Sequence, residues 1–451
     1  MSPAHLSAAS LSDASLSDAR LPDSRWFAWS TIGRLLFALF ACGILGLTPR
    51  EDAWGAESWP EFRGPRGDGR ADTSDVPVEF GEGKRQAWKV AIHGKGWSSP
   101  VVWGNQIWLT TATEDGKQMS VLCIDRQTGK ILHDRVLFEN ATPAFCHPTN
   151  SYASPTSAIE EGRVYVHFGS YGTACLDTKT FSTIWERRDL PCDHWRGPGS
   201  SLTLHDGVLY VPYDGHDLQY VAAFDKQTGE LRWKSERGIR YESEDGDIKK
   251  AYSTCQVIEV AGQRQLVCPS AAETIAYEPE SGREIWRLRH GGMNAATRPL
   301  FADGLLYLTV GDAVGDARPA LLAVRLDSSA GKTVPQLAWK LDKSPPKRPS
   351  PIVVNGLVFV INDDGVASCL DAATGQTHWH HRIAGTYRAS PVYASGRIYF
   401  CSLEGTVTVV AAEKNYRELA VNQFDQGFQA SPALHGNALI LRSLTDLHCF
   451  E

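Results

Sequence analysis

The stretch SPIVVNGLVFVINDDGVASCLDAATGQTHW, residues 350–379, decides the fold of this chain. It opens with a Ser-Pro pair, and two apolar runs then flank the dipeptide Asn355-Gly356. An Asn-Gly pair between apolar runs predicts a tight turn that joins two antiparallel β-strands. The second half carries a pattern of small residue, acid, glycine and tryptophan, here Cys369, Asp371, Gly375 and Trp379. The acid and the glycine predict a second turn, because a carboxylate caps free backbone N–H groups and glycine tolerates positive φ.

This unit recurs along the whole chain. Ser-Pro pairs begin at Ser99, Ser154, Ser350, Ser390 and Ser431, and degenerate copies begin at Ser201, Thr254 and Arg298. The eight copies are about 40–55 residues apart, which is the period of a β-propeller blade. The sequence therefore predicts an all-β protein, an eight-bladed β-propeller made of four-stranded antiparallel blades.

The tryptophan of the repeat explains why the chain is rich in this residue. Six of the fourteen tryptophans hold that position or its equivalent: Trp88, Trp185, Trp233, Trp286, Trp339 and Trp379. We expect them on outer strands, where a large flat side chain docks one blade on the next. The last unit stops after its third strand, and Trp88 precedes the first unit. The N-terminal strand is therefore predicted to complete the last blade and close a ring that spans residues 85–451.

The first 84 residues divide into three parts. Residues 1–24 are of low complexity and are predicted to form a disordered leader. Residues 25–56 contain an apolar run, residues 35–47, which follows two arginines and is short for a membrane span. This pattern is typical of a secretory signal peptide, and a retained N-terminal anchor or lipidation at Cys42 are the alternatives. Residues 57–84 are predicted to be a polar lead-in to the ring.

The charge balance argues against nucleic acid as a partner. Lys and Arg total 45 against 52 Asp and Glu, a net charge of −7, whereas phosphate binding requires a cationic excess. With an export segment, the chain is expected in the periplasm or cell envelope, or secreted, and in contact with a membrane only through its N-terminal segment. Ten cysteines in such a compartment allow disulfides.

The cysteines fall into two groups. Four hold the small-residue position of the repeat and are expected in the core: Cys123, Cys175, Cys369 and Cys449. Cys255 and Cys268 flank a predicted tight turn at Ala261-Gly262 and would lie opposite each other on neighbouring strands, which predicts a disulfide between them. A second disulfide, between Cys146 and Cys192, would join adjacent loops.

With its docking tryptophan repeated around the ring, the chain resembles the pyrroloquinoline-quinone (PQQ) repeat family of eight-bladed propellers. That family includes the quinoprotein alcohol dehydrogenases and the outer-membrane assembly lipoprotein BamB. The segments WPEFRGP, residues 59–65, and CDHWRGPGSS, residues 192–201, are similar to parts of secreted PQQ-like proteins from planctomycete-type bacteria. The resemblance covers residues 59–451. It implies the fold and says little about activity, because function resides in the site and not in the propeller.

The start of each unit is a candidate place for a site. In a propeller the innermost strands begin around one mouth of the central channel, so the Ser-Pro positions form a ring. Seven of the eight ring positions are Ser or Thr, and Arg298 is the exception. If Arg298 points into the channel, its guanidinium is predicted to bind a carboxylate, a phosphate or a quinone acid group. The alternatives are an ion pair with a neighbouring acid and a side chain that extends outward, away from the channel.

Three consecutive connections that reach the same mouth are long, at 22, 17 and 22 residues against 12 or 13 for the others. Long loops often carry function, so these three predict a raised binding rim. The side chains expected at the mouth and on the rim, besides Arg298, are His147, Tyr152, His194, Trp195, Arg196 and Arg388. No metal site is predicted, because the nearby histidines and aspartates follow no ligand spacing.

Three functions are compatible with these features. The first is an exported, non-catalytic scaffold that binds an envelope protein or a small ligand, as BamB-like members do, with no cofactor and no catalytic residue. The second, which the resemblance implies, is a PQQ-dependent alcohol or sugar dehydrogenase that holds Ca²⁺. The chain has no adjacent cysteine pair like the one that stacks on the quinone in those enzymes, and no calcium triad can be placed. The third is a carbohydrate-binding or carbohydrate-active propeller, suggested by Trp97, Trp195 and Tyr387.

Overall fold

The computed structural model describes residues 58–72, 75–329 and 331–451, which belong to one compact unit. The predicted leader, the signal or anchor segment and Cys42 lie outside the described residues. Within the described ranges, no helix has the length and the apolar character that a membrane crossing requires. The single helix there, Gly246–Lys249, is one turn long.

Eight sheets, each with four antiparallel strands in series, form the blades of a closed β-propeller, as the repeat predicted. From the innermost strand to the outermost, the first four blades contain Val101–Trp103, Gln106–Ala112, Gln118–Asp125 and Ile131–Glu139; Ala158–Glu160, Arg163–His167, Thr173–Asp177 and Thr183–Arg187; Thr203–His205, Val208–Asp214, Gln219–Asp225 and Leu231–Glu236; and Gln256–Val260, Gln263–Pro269, Glu273–Tyr277 and Glu284–Arg289.

The other four blades follow the same order. They contain Leu300–Ala302, Leu305–Thr309, Leu321–Ser329 and Lys332–Leu341; Ile352–Val354, Leu357–Ile361, Val366–Asp371 and Thr377–Arg382; Val392–Ala394, Arg397–Cys401, Thr406–Ala411 and Glu418–Gln423; and Ala433–His435, Ala438–Arg442, Asp446–Phe450 and Gln86–Ala91. The last strand confirms the predicted closure, because Gln86–Ala91 pairs with Asp446–Phe450 and supplies the outer strand of blade eight.

The glycine and the tryptophan of the repeat meet between blades. Gly229 in blade three has a φ of 73°, and a Cβ there would lie 2.6 Å from the ring of Trp185 in blade two. Trp185 Nε1 also donates a hydrogen bond of 3.0 Å to Lys226 O in the same turn. Three further pairs show the same close approach: Trp88 with Gly129, Trp233 with Gly282, and Trp339 with Gly375. In each of these pairs, the tryptophan ring of the preceding blade packs directly on the glycine of the turn. This contact explains why the glycine and the tryptophan recur together in the sequence.

Four blades do not have this contact, and two of them show what replaces it. In blade one the docking residue is His133, whose ring stacks on Phe181 with a centroid distance of 4.6 Å. Phe181 holds the glycine position of blade two and keeps its positive φ of 60°. In blade four, Trp286 Nε1 donates to Gln265 Oε1 at 2.7 Å within its own blade. Glycine is replaced in the turn that follows blade one, and in the longer hairpin that follows blade four Gly331 does not lie against the tryptophan ring.

The lead-in belongs to the ring and does not merely precede it. Ser58–Trp59 pairs with Val101–Trp103, the innermost strand of blade one, and Arg70–Ala71 pairs with Val392–Ala394, the innermost strand of blade seven. Innermost strands leave one edge without a partner from their own blade, and a short extended segment can satisfy those backbone groups. The structure therefore differs from the predicted boundary at residue 85.

Candidate functional site

The Ser and Thr side chains at the channel mouth link each blade to the next. Each hydroxyl accepts a hydrogen bond of 2.9–3.1 Å from the backbone N–H of the equivalent residue one blade earlier, and we call this set the belt. Its hydroxyls belong to Ser99, Thr156, Ser201, Thr254, Ser350, Ser390 and Ser431. The bond from Ser431 N–H to Ser99 Oγ joins blade eight to blade one. A short side chain that accepts a hydrogen bond therefore serves seven of the eight positions.

In blade two the belt residue is Thr156, not Ser154 as the Ser-Pro pairs suggested. Thr156 precedes the innermost strand by the same two residues as Ser99 does in blade one. Ser154 instead donates its hydroxyl hydrogen bond to Asn150 Oδ1 at 2.7 Å. A two-residue offset of this kind is invisible in the sequence, because both residues are small hydroxyl residues next to Pro155.

Arg298 is the belt position without a hydroxyl, and its side chain is buried at 1% exposure. Its Nη2 lies 2.6 Å from Glu61 Oε1, and its Nη1 donates to Phe62 O at 2.6 Å. Arg298 therefore forms an ion pair with an acid, and that acid, Glu61, belongs to the lead-in. The guanidinium of Arg298 thus binds the lead-in and does not face a ligand in the channel.

The lead-in from Ser58 to Ala71 fills the channel and contacts the inner edges of all eight blades, and we call it the plug. Beside its two strand pairings, Glu61 holds blade five through Arg298, and Arg63 Nη2 donates to Pro351 O in blade six at 2.6 Å. Further plug contacts are Pro60 O with Ile159 N in blade two, Glu61 Oε2 with Leu204 N in blade three, Arg66 O with Gln256 Nε2 in blade four, and Ser58–Trp59 with Ala433–His435 in blade eight. The channel is therefore closed from within the ring.

Above the plug, a cavity of about 410 Å³ opens at the mouth. Phe62 reaches it from the plug, and six belt residues line it. The residue two positions before each belt residue also lines it, and we call these eight the upper ring: Trp97, Ser154, Gly199, Tyr252, Ala296, Arg348, Arg388 and Gln429. His147, Arg196 and Asn294 complete much of the wall. A volume of this size suits a small ligand.

The three long connections do form a rim, and hydrogen bonds join them to one another. Asn150 Nδ2 on the first donates to Arg196 O on the second at 2.9 Å. Arg196 is ion-paired with Asp247 on the third, and Trp195 Nε1 donates to the same carboxylate at 2.8 Å. Asp247 lies in the short helix Gly246–Lys249. The rim is therefore a cross-linked wall and not three independent loops.

Three of the seven predicted mouth residues line the cavity, namely His147, Arg196 and Arg388. Tyr152 is buried and donates its hydroxyl hydrogen bond to Ala144 O at 2.7 Å. His194 is buried with its Nε2 accepting from Ser170 N–H at 2.9 Å, and burial lowers its pKa well below the usual value. Trp195 is 39% exposed on the rim, outside the cavity wall. Tyr387 is fully buried, so it is not the exposed aromatic that was expected.

One of the two predicted disulfides is present in the structure and the other is not. Cys255 and Cys268 are bonded, as predicted. Cys146 and Cys192 are free thiols, so the prediction of a bridge between the loops is wrong. Cys146 Sγ lies 3.8 Å from Arg196 O, and Cys192 Sγ lies 3.7 Å from His194 Nδ1. Each thiol therefore contacts a different polar atom and not the other thiol. The four cysteines of the repeat are buried in the core, as expected: Cys123, Cys175, Cys369 and Cys449.

The cavity is electropositive. Arg348 lies 3.5 Å from Asp312 and 3.4 Å from Asp363, and Arg196 is paired with Asp247. Arg388 has no carboxylate at ion-pair distance among the described residues, and burial together with the charge of Arg348 lowers its pKa. None of the residues that line the cavity is Asp or Glu. Its polar groups therefore favour a ligand that accepts hydrogen bonds.

This lining does not suit PQQ held by calcium. Calcium binds carboxylate and carbonyl oxygens, and the cavity wall offers no carboxylate. Over the described ranges, no three His, Cys, Asp or Glu side chains come together as a metal site would require. The chain also has no adjacent cysteines. The quinone-stacking and metal-holding parts of a quinoprotein site are thus missing from this mouth.

Eight four-stranded blades, tryptophan docking and belt closure define the molecule as an eight-bladed β-propeller of the PQQ-repeat type. Residues 217–451 match the family described as outer membrane protein assembly factor BamB. Because the match covers more than half of the chain, the protein belongs to this family.

Solved structures with very different sequences share the fold. A europium-containing methanol dehydrogenase is 12% identical with a TM-score of 0.62, over 87% of this chain and 90% of the other. BamB from Moraxella catarrhalis is 11% identical with a TM-score of 0.57, over 81% and 99%. A quinohemoprotein alcohol dehydrogenase from Comamonas testosteroni is 12% identical with a TM-score of 0.61, over 87% and 80%. No curated protein matches the chain.

Proposed function

We propose that this protein is an exported, non-catalytic propeller that holds a ligand or a partner protein at the mouth of its ring. The observation that carries the proposal is the mouth cavity, which the plug closes from below and the cross-linked rim raises on one side. Its wall combines aromatic rings with polar side chains that donate and accept hydrogen bonds, and none of the described residues that line it carries a carboxylate. Such a wall can bind and orient a ligand. His147 belongs to a residue type that can act as a general acid or base, but no carboxylate among the lining residues is present to hold a metal.

Rigidity of the rim supports a role in recognition. The first and second loops are joined by Asn150, and the second and third are joined through Asp247. A surface that is fixed before binding loses less conformational entropy when it binds. Phe145, 64% exposed on the first loop, and Trp195 are large apolar side chains that a partner protein could cover.

The second candidate is a PQQ-dependent dehydrogenase, favoured by the fold that this chain shares with a methanol dehydrogenase and a quinohemoprotein alcohol dehydrogenase. Fold likeness at about 12% identity does not carry a reaction with it. The missing carboxylates and the missing cysteine pair weigh against this candidate. Export to the periplasm or the cell envelope is part of the first proposal and rests on the basic and apolar pattern of residues 25–56.

Site-specific photocrosslinking in the native envelope tests the scaffold proposal. A photoreactive residue is placed at Phe145, and a matched one is placed at Leu337, which is 55% exposed on an outer strand far from the mouth loops in the sequence. We expect a discrete crosslinked partner or a retained ligand from position 145 and none from position 337. Equal labelling at both positions, or none at all with no copurifying ligand, contradicts the proposal.

Reconstitution tests the enzyme candidate. The purified protein is incubated with PQQ and Ca²⁺, and dye reduction is followed with alcohols and sugars. No turnover above that of free PQQ is expected. Sustained turnover that depends on the protein would replace the scaffold proposal with the dehydrogenase.

A further inference from the structure

One positively charged side chain of the mouth cavity, Arg388, has no carboxylate within ion-pair distance in the described ranges, and Asp363, which pairs with Arg348, acts on it only from farther away. Arg388 is half-buried in the upper ring, and among the described residues its guanidinium makes one hydrogen bond, a long one of 3.4 Å from Nη1 to Thr149 O. The other two arginines of the wall, Arg196 and Arg348, are each paired with aspartate. A guanidinium that is partly removed from water and left unpaired favours a ligand with a negative charge.

The belt adds neutral donors around this charge. A hydroxyl group has one hydrogen to donate and two lone pairs. The six belt hydroxyls of the cavity wall use a lone pair to accept a backbone N–H, and within the described part of the chain their own hydrogens reach no acceptor. Each can therefore donate to one ligand oxygen and keep a lone pair for a ligand hydroxyl. This dual capacity matches a polyol.

Two further polar atoms in the wall are without partners. Trp97 Nε1 and Asn294 Oδ1 are buried, and no hydrogen-bond partner from the described part of the chain reaches either of them. The first is a donor and the second an acceptor. A ligand hydroxyl can satisfy both kinds of group, whereas a ligand that only accepts leaves Asn294 Oδ1 unsatisfied at a cost.

Aromatic rings supply the apolar part of the wall. Phe62, Trp97 and Tyr252 line the cavity, and the C–H faces of a sugar ring pack well on such side chains. Opposite the two arginines of blades six and seven, the upper ring carries the small residues Ser154 and Gly199. The long loops lie on this side, where they bring His147 and Arg196 to the wall and where Arg388 Nη1 meets Thr149 O.

We infer that the mouth cavity binds a sugar with a single carboxylate, a uronic acid, with the carboxylate on Arg388 and the ring hydroxyls on the belt. This inference rests on the proposed binding function and specifies its ligand. One uncompensated guanidinium matches one negative charge, whereas a phosphate monoester carries about −1.5 to −2 and PQQ carries three carboxyl groups. The net charge of −7 further disfavours a long polyanion, which the whole surface would repel.

Calorimetric titration of the purified chain with D-glucuronate and D-glucose tests the inference. We expect glucuronate to bind measurably tighter than glucose. Arg388→Gln should lower glucuronate affinity by about tenfold or more, since a charge-assisted hydrogen bond is lost, and should leave glucose unaffected. The matched control is Arg382→Gln, because Arg382 is an exposed arginine of the preceding outer strand that bonds Asp364 O and does not line the cavity.

A second variant separates the hydrogen-bond claim from the charge claim. Trp97→Phe keeps an aromatic ring and removes the unpartnered Nε1–H, so it should weaken glucuronate and glucose to a similar, smaller degree. Thermal unfolding of each variant should match that of the parent, because neither side chain holds a strong contact in the fold. If Arg388→Gln fails this control, Arg388→Lys replaces it, because lysine keeps the charge and should retain part of the affinity.

The outcomes distinguish this inference from the broader proposal. Equal binding of glucose and glucuronate, with no effect of Arg388→Gln, refutes the anionic ligand and leaves a neutral sugar site. Tighter binding of glucose 6-phosphate than of glucuronate refutes the carboxylate. If no sugar binds while Phe145 still crosslinks to a partner, the inference falls and the scaffold stands. If neither result appears, both fall.

Discussion

The substitution Glu61→Gln should loosen the plug and destabilise the whole ring. Glu61 Oε1 lies 2.6 Å from Arg298 Nη2, and the side chains are 10% and 1% exposed. Glutamine removes the charge and leaves a buried guanidinium with only neutral acceptors, of which Phe62 O is one. Removing one partner of a buried ion pair costs about 3–5 kcal/mol. Glutamine keeps an oxygen that can still accept from Leu204 N–H, so we expect a loss near the lower end of that range.

Guanidinium chloride unfolding measures this loss, and limited trypsin digestion locates it. Arg66 and Arg70 are plug residues next to potential cleavage sites, and the plug holds them against blades four and six. We expect the Glu61→Gln protein to unfold at lower denaturant and to be cut in the plug before it is cut in the blades. The control is Glu278→Gln, which removes an ion pair with Arg283 at the surface and should change little.

A double variant shows whether the buried charge is the cause. Glu61→Gln with Arg298→Met removes the uncompensated guanidinium, so it should be more stable than Glu61→Gln alone. The reasoning is refuted if Glu61→Gln unfolds within about 0.5 kcal/mol of the parent, the ordinary range for surface changes. It is also refuted if the double variant loses the sum of the two single losses.

Three further predictions concern the blades. Gly229→Ala should lower the free energy of unfolding by at least about 1 kcal/mol, because its φ is 73° and its Cβ would strike Trp185. The control is Gly207→Ala, at φ 81° in open space, which measures the cost of the positive φ alone. Equal losses in the two variants would exclude a contribution from the tryptophan contact. Replacing Cys255 and Cys268 by Ala should cost about 3 kcal/mol, since their bond closes a loop with a sequence separation of 13; unfolding that is unaltered by the change or by reductant would contradict this. Burial lowers the pKa of His290 to about 4, so the unfolded chain binds the proton more readily between there and the ordinary value of about 6.5. Stability should fall with decreasing pH across that window, by up to about 1.4 kcal/mol per pH unit for this residue, and His290→Asn should flatten the slope of unfolding midpoint against pH; a parent protein equally stable at pH 7 and pH 5 would refute it.

The candidate site could be predicted only in part, and the belt shows why. The ring of hydroxyls was evident from the sequence, but its purpose, to accept a backbone N–H from the neighbouring blade, depends on how blades are packed. Once the belt register is known, the upper ring follows as the residue two positions earlier in each unit. That rule identifies Arg348 and Arg388 together, whereas loop length pointed to Tyr152 and His194, which are buried beneath the rim.

Arg298 illustrates the same limit from the opposite side. Its position in the ring was read correctly from the repeat, and an ion pair with an acid was one of two alternatives. The acid is Glu61, 237 residues earlier in the chain. No sequence pattern connects two residues so far apart, because the ion pair occurs once and does not recur from unit to unit.

The sequence by itself determined the architecture of this protein. Strand pairs, tight turns and tryptophan docking depend on contacts within one unit or between consecutive units. Because the unit occurs eight times, the pattern can be recognised even though single copies depart from it. Only the tertiary structure decided what occupies the channel and what faces the mouth. The plug crosses all eight blades without regular spacing, and the cavity wall takes single residues from distant loops. Such a site arises where the ring brings separate segments together, so its chemistry can be identified only after the ring has closed.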